Sequence, residues 1–174
     1  MRTRVQNEEV LYADEPLIVV ERADIETLKA RADANRRRRA RVCTHLSPHD
    51  PVHEMLIVHT HDTYVRPHKH HHKVESFHVV EGEGRIVLFD DDGQVTQVVR
   101  VGPYGSDRAF YYRLAEPRFH ALLIDTPVIV FHEATSGPFR PEDTEWAAWS
   151  PADSDPEACI AYVEELRRAA MVRA

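Results

Sequence analysis

The sequence has few cysteines, no long apolar run and no excess of positive charge. Its two cysteines, Cys43 and Cys159, lie far apart and have no partner at metal-site spacing, so we expect reduced thiols. The longest apolar runs, such as residues 128–131, are far too short to cross a bilayer. The N-terminal residues lack the apolar stretch of a secretory signal. We therefore expect a cytoplasmic protein without a membrane span.

The net charge of −7 argues against a general nucleic-acid binder. One local exception is the arginine run of residues 36–39 with Arg41, which could meet a phosphate or an acidic partner. The favoured interpretation of this run is a solvated helix end. We expect no nucleic-acid partner.

The chain of 174 residues is about the size of one domain and shows neither internal repeats nor low-complexity linkers. Apolar residues predict short strands at 10–12 and 17–20. An amphipathic helix follows from about Asp24, which can cap it, with Ile25 and Leu28 on one face.

From residue 41 to residue 133, short apolar or alternating segments are separated by Pro, Gly and Asp clusters, the pattern of an all-β sandwich or barrel. The predicted strands are 41–45, 54–59, 64–68, 75–81, 84–89, 95–101, 110–114, 120–124 and 128–133. The tail ends in a helix that Asp155 caps, with an apolar stripe formed by Ile160, Val163, Leu166 and Ala170. We expect this helix to pack against the barrel or a second subunit.

Histidine is the residue type that stands out, because five of the twelve lie between His68 and His78. His68 and His70 are two residues apart in a predicted strand, so their side chains face the same side, about 6 to 7 Å apart. Glu75 follows after a short loop, and a further donor, His120, opens a later predicted strand. Such donors suit Zn, Fe, Mn, Ni or Cu, and can leave coordination positions open for a substrate or dioxygen.

The spacing from His68 to Gly82 resembles the first motif of the cupin family, a His-x-His pair, a glutamate and, after six further residues, a glycine. A second cupin motif supplies one histidine from a later strand, and the resemblance makes His120 the fourth ligand. The chain departs from these motifs where Ile124 replaces an asparagine and Asp62 replaces a glycine. The resemblance implies an all-β cupin fold, a double-stranded β-helix or jelly-roll barrel, that holds one divalent transition metal ion.

Further segments are similar to the WbuC family of cupin metalloproteins, over roughly residues 36–149. These segments are 37–41, 53–57, 75–78, 110–114, and 131–133 with 137–139. Members of that family are associated with bacterial surface-polysaccharide gene clusters. Many cupins pair through their N-terminal strands, so the cupin resemblance also implies a homodimer, with the predicted strands 10–12 and 17–20 as the pairing edge. Our division of the single domain is 1–40 for the N-terminal strands and helix, 41–139 for the barrel and 140–174 for the C-terminal extension.

Other polar residues near the motifs are weighed as pocket or surface residues. His71 and His72 are expected in a loop, since ligation by His72 leaves too few residues before Glu75. His78 falls on the opposite strand face from Glu75 and is expected to be structural. The residues that we predict to line a substrate pocket are His45, His53, Tyr64, Arg66, Tyr112 and His132.

The favoured functional hypothesis is a small-molecule metalloenzyme with oxygenase, isomerase or lyase chemistry on an anionic or sugar-like substrate. The sequence assigns no catalytic residue beyond the ligands. Two alternatives stay open: a metal-independent sugar isomerase or epimerase, and a non-catalytic cupin that binds a metal or a small ligand.

Overall fold

Within residues 1–171, the part of the chain that the computed structural model describes, twelve strands form two sheets, flanked by two α-helices. The helices are α1 (Arg22–Ala34) and α2 (Pro156–Met171). The strands are β1 (Thr3–Val5), β2 (Val10–Ala13), β3 (Arg39–Cys43), β4 (Val52–Thr60), β5 (His68–His70), β6 (Glu75–Glu81), β7 (Gly84–Phe89), β8 (Val95–Val101), β9 (Tyr111–Leu114), β10 (Phe119–Ile124), β11 (Val128–Ser136) and β12 (Thr144–Trp146).

The two sheets face each other across an apolar core. The larger sheet has the order β1-β2-β3-β4-β11-β6-β9 and the smaller sheet β12-β5-β10-β7-β8, with every pair antiparallel except β2 and β3. Alternate residues of the strands point inward. The buried inward residues include Phe77, Val79, Ile86, Leu88, Leu122, Ile124, Ile129 and Phe131. The predicted all-β barrel with a helix near each end of the chain is therefore confirmed.

Helix α1 covers the outer face of the larger sheet. Leu28 and Ala32 are buried there against Val42, Val58 and Val130. The helix begins at Arg22 rather than at Asp24, because Glu21 is the N-cap residue. The Asp24 carboxylate still serves this end of the helix by accepting a hydrogen bond of 2.8 Å from the Glu21 backbone N–H.

Helix α2 covers the outer face of the smaller sheet, so the expected packing against the barrel is confirmed. Leu166 and Ala170 are buried beside Phe89 and Leu123. Asp155 caps the helix through a 3.1 Å hydrogen bond from the Ala158 N–H. Ile160 does not belong to the buried stripe, because it is 63% exposed.

The strand predicted at 41–45 lies at 39–43, and β1 and β12 have no counterpart among the predicted strands. Two further predicted strands differ more from the structure. Residues 17–20 form no strand, and Leu17 and Val19 are exposed, so no neighbouring strand covers their apolar side chains. The strand predicted at 64–68 begins only at His68 and continues to His70. The two cysteines are buried and free. None of the helices within residues 1–171 is both long enough and apolar enough to span a membrane.

Candidate metal centre

Four polar side chains meet at one end of the barrel interior. His120 of β10 lies opposite His68 in the antiparallel pairing of β5 with β10. One ring nitrogen from each of His68, His70 and His120 lies within 4.8 Å of the other two. Glu75, the first residue of β6, faces them from the larger sheet, with Oε1 3.1 Å from His120 Nε2 and Oε2 3.4 Å from His70 Nε2.

Hydrogen bonds orient the three imidazole rings. His68 Nδ1 lies 2.8 Å from the Arg66 carbonyl oxygen, and His120 Nδ1 lies 2.9 Å from the Arg118 carbonyl oxygen. Because a carbonyl can only accept, Nδ1 must carry the proton in both rings. His70 Nδ1 lies 3.2 Å from the Thr144 hydroxyl of β12, which can also accept. The Nε2 atoms are thereby directed toward the common point, as in metal sites whose second nitrogen donates to a backbone or side-chain oxygen.

The electrostatics of the group favour cation binding. Burial lowers the pKa of His68 to about 3, with the neighbouring His120 and His70 adding to the effect, so its ring is neutral. Burial acts to raise the pKa of Glu75, yet the charge of His120 and hydrogen bonds from His120 and His70 hold it well below its usual range. A neutral imidazole and an ionised carboxylate are the protonation states in which these groups bind metals.

The pKa of His120 is raised. Burial acts to lower it, but the Glu75 charge and the hydrogen bond between the two groups outweigh that effect. A divalent cation can replace the proton between His120 Nε2 and Glu75, because both atoms are ordinary metal ligands. The residues present therefore fit a transition metal ion with nitrogen and oxygen donors.

The members of the group differ in exposure. The side chains of His120 and Glu75 are 8% and 11% exposed, whereas that of His70 is 22% exposed. The Trp146 ring of β12, which is 49% exposed, lies 5.3 Å from the His68 ring between centroids. Of His70, Glu75 and His120, His70 is thus the most accessible to a small molecule.

The residues predicted to line the pocket fall in different places. His45 and His53 stack with ring centroids 4.0 Å apart, and their ring nitrogens lie within hydrogen-bond distance of the backbone oxygens of Glu54 and Pro48. Tyr112 lies on β9 opposite Phe77, and its hydroxyl is buried. These three residues lie on the inner side of the larger sheet.

Three other predicted residues are engaged elsewhere. Tyr64 donates a hydrogen bond to the Pro151 carbonyl, and Arg66 donates to the Ala147 carbonyl and the Ser150 hydroxyl. Both therefore hold the segment before α2. His132 lies on the outer face of β11, where its ring is 3.6 Å from a carboxylate oxygen of Glu54. The structure does not bring these three side chains to the histidine group.

The remaining histidines of the motif region agree with the interpretation made from spacing. His71 and His72 follow β5 outside regular structure, and His71 pairs with Glu145 at 2.7 Å. His78 is exposed on the outer face of β6. It lies against Phe110 with ring centroids 5.8 Å apart.

Sequence reasoning missed Glu133, which lies two residues after the core residue Phe131 in β11 and shares its inward face. The alternation from Phe131 was the available signal. Burial, with the neighbouring Glu75 charge, raises the pKa of Glu133 to about 7.

The arginine run lies away from the metal centre. Arg37 pairs with Asp153, Arg38 with Asp33 and Arg39 with Glu9. Residues 36–38 line a groove of about 470 Å³ beside α2. Because three of the arginines are already in ion pairs, the pattern favours a structural and solvated role.

Two facing sheets that close over an apolar core, with imidazoles from one and a carboxylate from the other meeting at one end, define the double-stranded β-helix fold of cupins. A family model described as a domain of unknown function, DUF6016, matches residues 20–101. No curated protein matches the chain.

Solved structures are similar to the chain in fold. A Shewanella oneidensis protein matches 75% of this chain and 80% of its own at 11% identity, with a TM-score of 0.50. The capsular polysaccharide assembling protein CapF from Staphylococcus aureus matches 65% of this chain at 20% identity and a TM-score of 0.50, and the chain spans 32% of CapF. A Klebsiella pneumoniae protein with a double-stranded β-helix domain matches 63% of this chain and 79% of its own at 12% identity, with a TM-score of 0.48.

Proposed function

We propose that the chain is a metal-binding cupin that holds one divalent transition metal ion through His68, His70, Glu75 and His120 and acts on a small molecule. The observation that carries the proposal is the orientation of the imidazoles. Nδ1 of His68 and His120 is engaged with a backbone carbonyl, ring nitrogens of all three histidines lie within 4.8 Å of one another, and Glu75 approaches two of them. Histidines with only a structural role have no need of this convergence.

The bound ion would supply Lewis acidity or an oxygen-activating centre. The residues of the chain have separate tasks. Thr144 and the Arg66 and Arg118 carbonyls hold the imidazole rings in place, and the exposure of His70 marks the side from which a substrate enters. Oxygenase, isomerase and lyase chemistry all fit this arrangement, with an anionic or sugar-like small molecule as substrate.

The kinship with WbuC-type cupins and a homodimer belong to the same proposal. The kinship derives from the resemblance of residues 36–149 to that family, and the homodimer from the N-terminal strands, through which many cupins pair. β1 is an edge strand of the larger sheet, which leaves one side of it open for pairing with another copy. Light scattering of the purified protein tests the dimer, and a monomeric mass at all concentrations would contradict it.

Elemental analysis of protein purified without a tag tests metal binding. We expect about one equivalent of a transition metal per chain in the wild type and none in His70→Ala. His78→Ala is the matched control, because it removes an exposed imidazole from the outer face of β6 and should keep the metal. Equal metal content in all three proteins would overturn the ligand assignment.

A substrate screen in air and under nitrogen then separates the reaction classes. Turnover that needs oxygen indicates an oxygenase, and turnover without oxygen indicates an isomerase or lyase. Metal binding without turnover of any small molecule indicates the binding module instead. Activity that survives in metal-free His70→Ala would favour the metal-independent isomerase.

A further inference from the structure

One carboxyl group stands in an otherwise uncharged row on the inner face of the larger sheet. The pairing registers place Cys43 opposite Met55, Met55 opposite Glu133, Glu133 opposite Phe77, and Phe77 opposite Tyr112. These five side chains run across the sheet from β3 to β9. Glu133 is the central member of the row and its only ionisable carboxyl group.

Two polar side chains of this row, those of Tyr112 and Glu133, make no hydrogen bond or ion pair within residues 1–171. The Tyr112 hydroxyl is buried and makes no hydrogen bond. No ion pair or side-chain hydrogen bond connects Glu133 to another described residue, and its environment consists of burial and the charges of surrounding groups. A buried hydroxyl without a partner destabilises a fold, so the position of the Tyr112 hydroxyl is explained if a ligand supplies the partner.

The row is adjacent to the proposed metal ligands. Thr135 lies opposite Glu75, and Glu133 is two residues further along β11 on the same face. Side chains two residues apart in a strand are about 7 Å apart, so one small molecule can reach both the metal centre and Glu133. Glu133 also keeps partial solvent exposure, so a small molecule can reach it from solvent.

The charges around Glu133 restrict the chemistry of that molecule. An anionic group would be repelled by Glu133 and by Glu75, which raises the pKa of Glu133. An ammonium group would be repelled by the metal ion and by Arg41, which lies two residues before Cys43 on β3 and so shares the inward face of the row. A neutral hydroxyl group avoids both penalties. It can donate to the Glu133 carboxylate and can either accept from or donate to the Tyr112 hydroxyl.

We propose that Glu133 and Tyr112 bind the hydroxyl-bearing end of a small polyhydroxylated molecule, such as a polyol or a sugar derivative, whose other end lies at the metal centre. This inference rests on the proposed function, because the metal centre anchors the other end. Glu133 is then a ligand-binding residue, whereas Met55 and Phe77 form the apolar walls on either side of it.

Erythritol and 1,2-butanediol are the matched probes. Both carry a 1,2-diol on a four-carbon chain, but only erythritol has hydroxyls at the other end. Each is titrated into the cobalt(II)-loaded protein while the visible absorption of cobalt reports ligand binding. We expect the wild type to bind erythritol about 10-fold or more tightly than 1,2-butanediol, the ratio for two ordinary hydrogen bonds, one to Glu133 and one to Tyr112. Equal affinities, or no binding of erythritol, would overturn the inference.

Two variants test the residues independently. Glu133→Gln and Tyr112→Phe should each bring the erythritol affinity toward that of 1,2-butanediol and leave the 1,2-butanediol affinity unchanged. Glu54→Gln makes the same chemical change on the outer face of the neighbouring strand β4, where its side chain is 54% exposed, and should bind erythritol like the wild type. Wild-type erythritol affinity in folded Glu133→Gln and Tyr112→Phe would sink the assignment.

The cobalt content keeps this test separate from that of the proposed function. If the wild type binds no cobalt, the metal centre itself is wrong. If cobalt content is equal in the wild type and the variants but the polyol affinities are unchanged, only the roles of Glu133 and Tyr112 are wrong.

Discussion

The buried imidazole of His59 should make the stability of the barrel fall in acid. His59 is buried on β4, with its ring edge-on to Phe131 at 5.4 Å between centroids. Its Nδ1 atom has no hydrogen-bond partner among the described residues. Burial, and then the positive charges of Arg39, Arg41 and Arg37, lower the pKa of His59 from 6.5 to about 3. The ring is therefore neutral in the folded protein throughout the mildly acidic range.

The size of the effect follows from the two pKa values. Between pH 6.5 and about pH 3 the unfolded chain binds a proton at His59 and the folded chain does not. Each pH unit in that window lowers the free energy of unfolding by about 1.4 kcal/mol. At pH 4.5, two units below the ordinary value, the loss is about 3 kcal/mol. Above pH 6.5, His59 thus causes no loss in the free energy of unfolding. The loss grows as the pH falls from 6.5 toward 3.

Urea unfolding of the wild type and His59→Phe, in chelator and at several pH values from 7.5 to 4.5, measures this loss. The phenyl ring changes the packing energy by an amount that does not depend on pH. The test is therefore how the difference in unfolding free energy between the variant and the wild type changes with pH. We expect the variant to gain about 3 kcal/mol relative to the wild type across this range. His49→Phe is the control, because His49 is exposed and its side chain makes no hydrogen bond or ion pair with another described residue, so its curve should run parallel to the wild type. A parallel curve for His59→Phe would refute the reasoning.

Three substitutions, one of them with a matched control, test other parts of the structure. Glu75→Gln removes the ligand charge, and we expect metal affinity to fall at least about 10-fold in competition with a chromogenic chelator. Gly82→Ala should lower the urea-derived stability by about 2 kcal/mol or more, because φ is 79° and the new Cβ would lie 2.1 Å from the Val128 oxygen. Gly105→Ala, also at positive φ but with no atom near its Cβ, should cost less. Leu28→Ala should lower the free energy of unfolding by about 3 kcal/mol in the same assay, because Leu28, on the buried face of α1, is only 1% exposed.

The parts of the fold that depend on local spacing could be predicted from the sequence. His68 and His70 were placed on one face by the period of a strand, and the structure has both in β5. Gly82 of the motif adopts a positive φ in the turn between β6 and β7, a conformation that favours glycine. The buried face of α1 could be predicted, because the apolar residues Ile25 and Leu28 are about one helical turn apart, and Leu28 is buried.

The parts that depend on distant neighbours could not be predicted. The apolar residues of 17–20 have the composition of a strand, but no strand lies beside them, and composition alone carries no information on pairing. Tyr64 and Arg66 precede β5 in irregular backbone, where alternation does not determine direction, and both turn toward the segment before α2. His132 and Glu133 are adjacent, so one of them had to face outward, and a shift of one residue in the assumed register exchanges their roles.

The position of the polar residues along their strands explains how one small barrel can contain both a core and a site. β6 leads inward from Glu75 to Phe77 and Val79, and β10 leads from His120 to Leu122 and Ile124. In the neighbouring strand β11 the inward side chains change from apolar to polar along the chain, from Phe131 to Glu133.

The apolar ends supply the packing, including the rings of Phe77 and Phe131, which stack 4.0 Å apart. The buried apolar surface that stabilises the barrel therefore lies mainly at the apolar ends of these strands. The polar residues of the site contribute little to it. Substitution of His70, a ligand that is 22% exposed, should accordingly affect ion binding far more than the folding of the metal-free protein, whereas substitution of Phe131 should do the reverse.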